Sequence, residues 1–110
     1  MPRRDPRVRL LHMRDYTREA LEMAAGRSRS DLDTDRMFAL ALTHLVELVG
    51  EAAAQVPQAV QDEHPQIPWP KVVGMRNRLI HGYDYVDYDI LWDAVELNLP
   101  ELLKALEEGL

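Results

Sequence analysis

Apolar residues recur three and four positions apart along most of this chain, a spacing that belongs to amphipathic helices and not to strands. From about Val8 to Ala25 the pattern falls on positions 10, 13, 17, 20, 21 and 24, with Thr17 the one polar member. Gly26 ends the run, and the capping residues of RSRSDLDTD place a second helix start near Asp33 or Thr34. That helix is predicted to reach about Val56 with a core stripe of Phe38, Ala41, Leu42, Leu45, Val49, Ala52, Ala53 and Val56. Ala, Leu and Val dominate the 46% hydrophobic content while aromatics make up 6%, which favours packed helices. A chain of 110 residues forms one domain. The reading is a loose arm over residues 1–7 and one all-α domain over 8–110.

The second helix is apolar beyond its core stripe. Between Met37 and Gly50 its only formal charge is Glu47, with His44 one turn earlier and Glu51 one turn later. A helix apolar on both sides is expected to be covered twice, by its own domain and by another copy, which points to a homodimer. Gly50 permits a close approach of helices. A short helix from Pro57 through Glu63 precedes the extended connector HPQIPWP, and Trp69 plugs the core at the start of a third helix. Asp87 is a suitable N-cap for a fourth helix through about Leu97. Pro100 kinks that helix or begins another through Glu108.

The stretch from Gly74 to Asp87, GMRNRLIHGYDYVD, is an odd way to build a core. On a helix, Val72, Val73, Met75, Leu79 and Ile80 share an apolar arc, with Lys71, Gly74, Asn77, Arg78 and His81 opposite and Arg76 near the middle of the arc. A buried arginine needs carboxylates, carbonyls or a bound anion for its five donors. Glu47 or Glu51 is the expected partner. Asn77 and His81, four apart, share a face. With the helix stopping at Gly82, His81 sits in the last turn, where the helix dipole favours its protonated form.

Arg76, Asn77 and, after three further residues, His81 stand inside VGEAA, IPW, GMRNRLIHGY and a trailing Leu-Pro. In this setting the run from Leu45 to Pro100 resembles the HepT-like branch of the HEPN superfamily, small helical proteins of prokaryotic toxin-antitoxin modules. The resemblance implies an up-and-down bundle of four main helices plus a short one, paired as a homodimer. It further implies metal-independent RNA cleavage, or at least nucleotide binding, by Arg76 and His81. From the residues themselves, Asn77 is expected in the catalytic set, with Glu47, Glu51 and Arg78 supporting. The partner it implies is a minimal nucleotidyltransferase antitoxin that transfers AMP to the tyrosine of the His-x-Tyr motif, here Tyr83, in a type VII-like module. Tyr85 and Tyr88 are weaker targets. No cofactor is expected.

Composition bounds these readings. The absence of cysteine excludes disulfides and a thiolate site. The histidines at 12, 44, 64 and 81 lack ligand spacing, so no built-in metal site is expected. The arginine-rich N-terminus lacks the apolar core of a signal peptide, and a soluble cytoplasmic protein is expected. The net charge of −6 opposes indiscriminate adhesion to nucleic acid. Residues 1 to 36 nonetheless carry nine basic and seven acidic groups, against four and twelve in residues 37 to 110. RNA contact must therefore be local.

Overall fold

The computed structural model describes residues 5–81 and 85–110, without the side chains of Ile80 and His81. Helix α1, Arg7–Ala24, ends at Gly26, whose φ of 75° places it in the left-handed region that glycine reaches without strain. Thr17, fully buried in α1, returns its hydroxyl proton to the Met13 carbonyl at 2.6 Å, which is how the one polar member of the stripe is accommodated. A one-turn helix, α2 (Asp31–Thr34), intervenes before α3 (Arg36–Ala54). The start expected at Asp33 or Thr34 is displaced because Asp35 adopts an extended conformation and its carboxylate caps the Phe38 N–H at 3.1 Å.

Helix α3 is central, packing against α1, α2, α5 (Trp69–Val73) and α6 (Met75–Leu79). Ala39, Thr43, Val46 and Gly50 are buried beside the predicted stripe, so much of its two-sided apolarity is satisfied inside one chain. By length and composition α3 could cross a membrane, yet 56% of that span is buried within the fold. Met37 and Leu40, 82% and 53% exposed, are what remains for another surface.

Pro57 stands just before α4 (Gln58–Glu63), and Trp69 is buried with its indole N–H donating to the carbonyls of Gln61 (3.2 Å) and His64 (3.0 Å). The predicted third helix is broken at Gly74 and stops at Leu79, not at Gly82. Ile80–His81 forms strand β1, antiparallel to β2 (Tyr85–Val86), with Ile80 opposite Val86 and His81 opposite Tyr85. The Leu79 carbonyl accepts the Asp87 N–H at 2.8 Å, and β-branched and aromatic residues favour the ladder. Asp87 then caps α7 (Tyr88–Asp93) through the N–H groups of Asp89 and Ile90. A π-helical turn, Ala94–Asn98, joins α7 to α8 (Leu99–Gly109). Pro100 explains it: proline lacks the N–H for a regular helical bond and its ring crowds the carbonyl four residues back, so the preceding turn widens.

The α1–α3 corner is held by charge. Arg27 lies over the Phe38 ring at 4.0 Å and bonds Asp35 at 2.8 Å and Asp31 at 3.4 Å. The Arg27 hydrogen bond, then the cap to Phe38, holds the Asp35 carboxyl below its ordinary value; the Ser28 N–H, then Arg27, does so for Asp31. With the folded values lowered, the unfolded chain binds these protons more readily. The stabilisation is therefore complete above the ordinary value of 3.8 and lost as pH falls through the folded values. Urea midpoints are expected to drop as pH is lowered from about 5 to about 3, less steeply in Asp35→Asn. Equal slopes in both proteins would show that this corner does not govern acid stability.

Candidate functional site

Arg76 is half exposed at 52%, not buried as its angular position predicts. The buried stripe of α5 and α6 is the narrow set Trp69, Val72, Met75 and Leu79, which leaves Arg76, Asn77 and Arg78 facing outward. Gly50 makes this arrangement possible, because a β-carbon there would lie 3.3 Å from the Val72 carbonyl oxygen and 3.8 Å from the Arg76 nitrogen. With the two backbones this close, the Arg76 guanidinium reaches α3, and its Nη1 stands 3.4 Å from Glu51 Oε1. Such a half-exposed pair contributes about 0–1 kcal/mol to stability, so its consequence is orientation of the guanidinium.

Of the two predicted carboxylate partners, Glu51 meets Arg76. Glu47, one turn earlier and half-buried, forms no ion pair with it among the described residues. It lines a groove of about 590 Å³ together with Arg36, His44, Val86 and Tyr88. Arg78 turns back to donate to the Lys71 carbonyl at 2.8 Å, and its Nη1 would lie 3.2 Å from a β-carbon at Gly74, so it braces the break between α5 and α6. Asn77 is exposed. His81 stands on β1, two residues beyond the end of α6, so the helical i, i+4 relation with Asn77 and the last-turn dipole argument both fall away. Its backbone is fixed opposite Tyr85, while its side chain and all of Gly82 and Tyr83 lie outside the described residues.

Charge separates two surfaces. In the 590 Å³ groove, Arg29 and Arg36 face Asp33, Glu47, Asp87 and Asp89. Arg29 is already held by Asp89 at 2.8 Å and Asp33 at 3.0 Å, which raise its pKa, and Arg36 donates to the Tyr88 hydroxyl at 3.1 Å. An anion there meets an excess of carboxylates. At Arg76 a single carboxylate among the described residues, that of Glu51, offsets the guanidinium, and an exposed, planar, permanently charged fork suits a phosphate oxygen pair. Among the described residues no group of three or more His, Asp or Glu could hold a metal ion.

One set of residues escaped the sequence reading. Arg9, His12 and Tyr16 on α1 line a recess of about 100 Å³ shared with Glu51. Their spacing of three and four marked a second stripe beside the core stripe of α1, and it was the available signal.

Comparison with known proteins places residues 13–108 in a match to the family model described as Ribonuclease HepT-like. A protein of Caldanaerobacter subterraneus subsp. tengcongensis, provisionally named an RNase, is 33% identical over 103 residues, covering 94% of this chain and 92% of the relative. A probable ribonuclease HepT of Thermococcus cleftensis is 33% identical over 94 residues, covering 82% and 86%. A Methanocaldococcus jannaschii protein, also provisionally named an RNase, is 28% identical over 108 residues, covering 98% and 89%. No solved structure matches the chain.

Proposed function

The chain belongs to the HepT-like ribonuclease family, and from that premise we propose that it is a metal-independent endoribonuclease toxin of a type VII-like toxin-antitoxin module, acting in the cytoplasm. The observation that carries this reading is Arg76, half exposed on the motif helix and oriented by Glu51 rather than buried as a structural cation. RNA brings its own nucleophile. The 2′-hydroxyl oxygen attacks the adjacent phosphorus, giving its proton to a base, and the bond from phosphorus to the 5′-oxygen breaks as that oxygen takes a proton from an acid. Arg76 stabilises the charge gathering on the phosphate oxygens. His81, whose ordinary pKa lies near neutrality, performs proton transfer, and Asn77 positions a phosphate oxygen.

One histidine does not readily serve as base and acid in one step, so the reading includes a two-fold homodimer with both copies of Arg76 and His81 around one cleft. The exposed Met37 and Leu40 supply apolar surface for such a pairing. Neutralisation is read as transfer of AMP from ATP to the Tyr83 hydroxyl by a nucleotidyltransferase antitoxin, with pyrophosphate leaving; the added charge and bulk compete with RNA for Arg76.

The test incubates the purified chain with RNA in the presence of EDTA. Products ending in 2′,3′-cyclic phosphate are expected, and in mixed dimers with His81→Ala the activity per wild-type chain is expected to fall. Full activity per wild-type chain counts against a shared cleft. Intact RNA that is nevertheless bound supports the second reading, a nucleotide-binding module without cleavage, which the net charge of −6 favours.

A further inference from the structure

The recess between α1 and α3 adjoins the Arg76 site through one shared residue. Glu51, which ion-pairs with Arg76, also lines this recess, together with Arg9, His12, Tyr16 and Gln55. The His12 and Tyr16 rings stand 6.0 Å apart at a tilt of 46°, and Tyr16 is half-buried and packed against the core, so this edge of the recess is pre-organised. Arg9 in the recess and Arg76 beside it meet one carboxylate among the described residues, that of Glu51, unlike the acidic groove at the other end of α3. The α1 side of the recess, Arg9, His12 and Tyr16, comes from residues 1 to 36, whose charge is net positive, and the other side from α3 and Gln55.

Resting on the reading that RNA engages Arg76, we infer that α1 carries a second RNA subsite: Arg9 holds a phosphate and the His12–Tyr16 edge stacks a base of a nucleotide flanking the one at Arg76. A volume of about 100 Å³ admits the edge of a base and not a whole nucleotide, so the base lies on the rim. Arg9 and Tyr16 are seven residues apart, about 10 Å along the helix, a length on the scale of one or two nucleotides of extended strand. Stacking on an aromatic is tolerant of sequence, and the subsite therefore sets affinity and reading direction more than base identity.

The experiment measures binding of a fluorescein-labelled single-stranded RNA hexamer to full-length protein carrying His81→Ala, at two salt concentrations, with cleavage by the wild-type chain followed in parallel. Adding Tyr16→Leu is expected to weaken binding about tenfold, with Tyr16→Phe restoring it. Adding Arg9→Gln is expected to lower the salt slope by about 0.7, with Arg9→Lys restoring it. Arg18→Gln, a charge change elsewhere on α1, is expected to leave affinity unchanged; thermal melts of every variant establish folding. RNA that is cleaved, and bound equally with Arg9→Gln or Tyr16→Leu, overturns the subsite and leaves the ribonuclease reading standing. The expected losses without cleavage by the wild-type chain keep α1 as a nucleic-acid contact and overturn that reading. RNA neither bound nor cleaved overturns both.

Discussion

Replacing His81 with alanine is expected to slow single-turnover RNA cleavage by a factor on the order of 10²–10⁴, with RNA affinity changed little. The split follows from the roles. Losing a group that moves a proton in the transition state lowers the rate constant, whereas Arg76, in the role proposed for it, would serve ground-state binding and the transition state alike. Arg76→Lys is accordingly expected to weaken RNA binding and to cut the rate on the order of 10²-fold, because an ammonium keeps the charge and loses the two-pronged geometry. The measurements are single-turnover rates at saturating protein with binding by fluorescence anisotropy. A His81→Ala protein that cleaves at the wild-type rate would remove the histidine from the mechanism, and the pairing of two active sites argued from it would go too.

Gly50→Val is expected to destabilise the protein by about 2–3 kcal/mol, lowering its melting temperature by roughly 10–15 °C. Two effects compete at this position. A β-carbon removes the cost of glycine inside a helix, worth up to about 1 kcal/mol. Against that, the carbon would stand 3.3 Å from the Val72 carbonyl, a backbone atom that yields only if α5 moves as a unit. Alanine sets these terms nearly equal, whereas the two further carbons of valine add overpacking with no helical gain. The displacement is also expected to separate Arg76 from Glu51 and so to weaken RNA binding in whatever protein remains folded. Differential scanning calorimetry with RNA titration reads both effects, and a Gly50→Val protein that melts like the wild type would show that α3 and α5 are not in tight contact there.

The helical character of the chain was legible because its apolar spacing needs nothing beyond the sequence: Leu10, Met13, Ala20 and Ala24 are buried as the periodicity of α1 requires. Gly26, Trp69 and the Asp87 cap were equally local and equally readable. Two readings failed for tertiary reasons. The third helix loses its last residues to a ladder with Tyr85–Val86, a partner that periodicity cannot see. Arg76 looked buried because angular position alone does not reveal how narrow the contact stripe is, and that width is set by Gly50 on another helix. The Arg76–Glu51 pair was legible only as one of two alternatives, since one helical turn separates Glu47 from Glu51 and only packing decides between them. The α1 stripe of Arg9, His12 and Tyr16 was written in the sequence as plainly as the core, but polar spacing has no meaning until something is found opposite it.

The wide turn at Ala94–Asn98 has a mechanical result. Leu91, Ala94, Val95 and Leu99 are buried in steps of three and four, and the seam stays dry into Leu102, Ala105 and Leu106, so the broadened turn does not interrupt it. One unbroken rod thus leans on α6 at its start and on α1 further along. The helix bearing Arg76 and the helix bearing Arg9 and Tyr16 are thereby braced a second time, beyond their shared packing on α3, so the separation between them is ruled by packed helices and not by the loops.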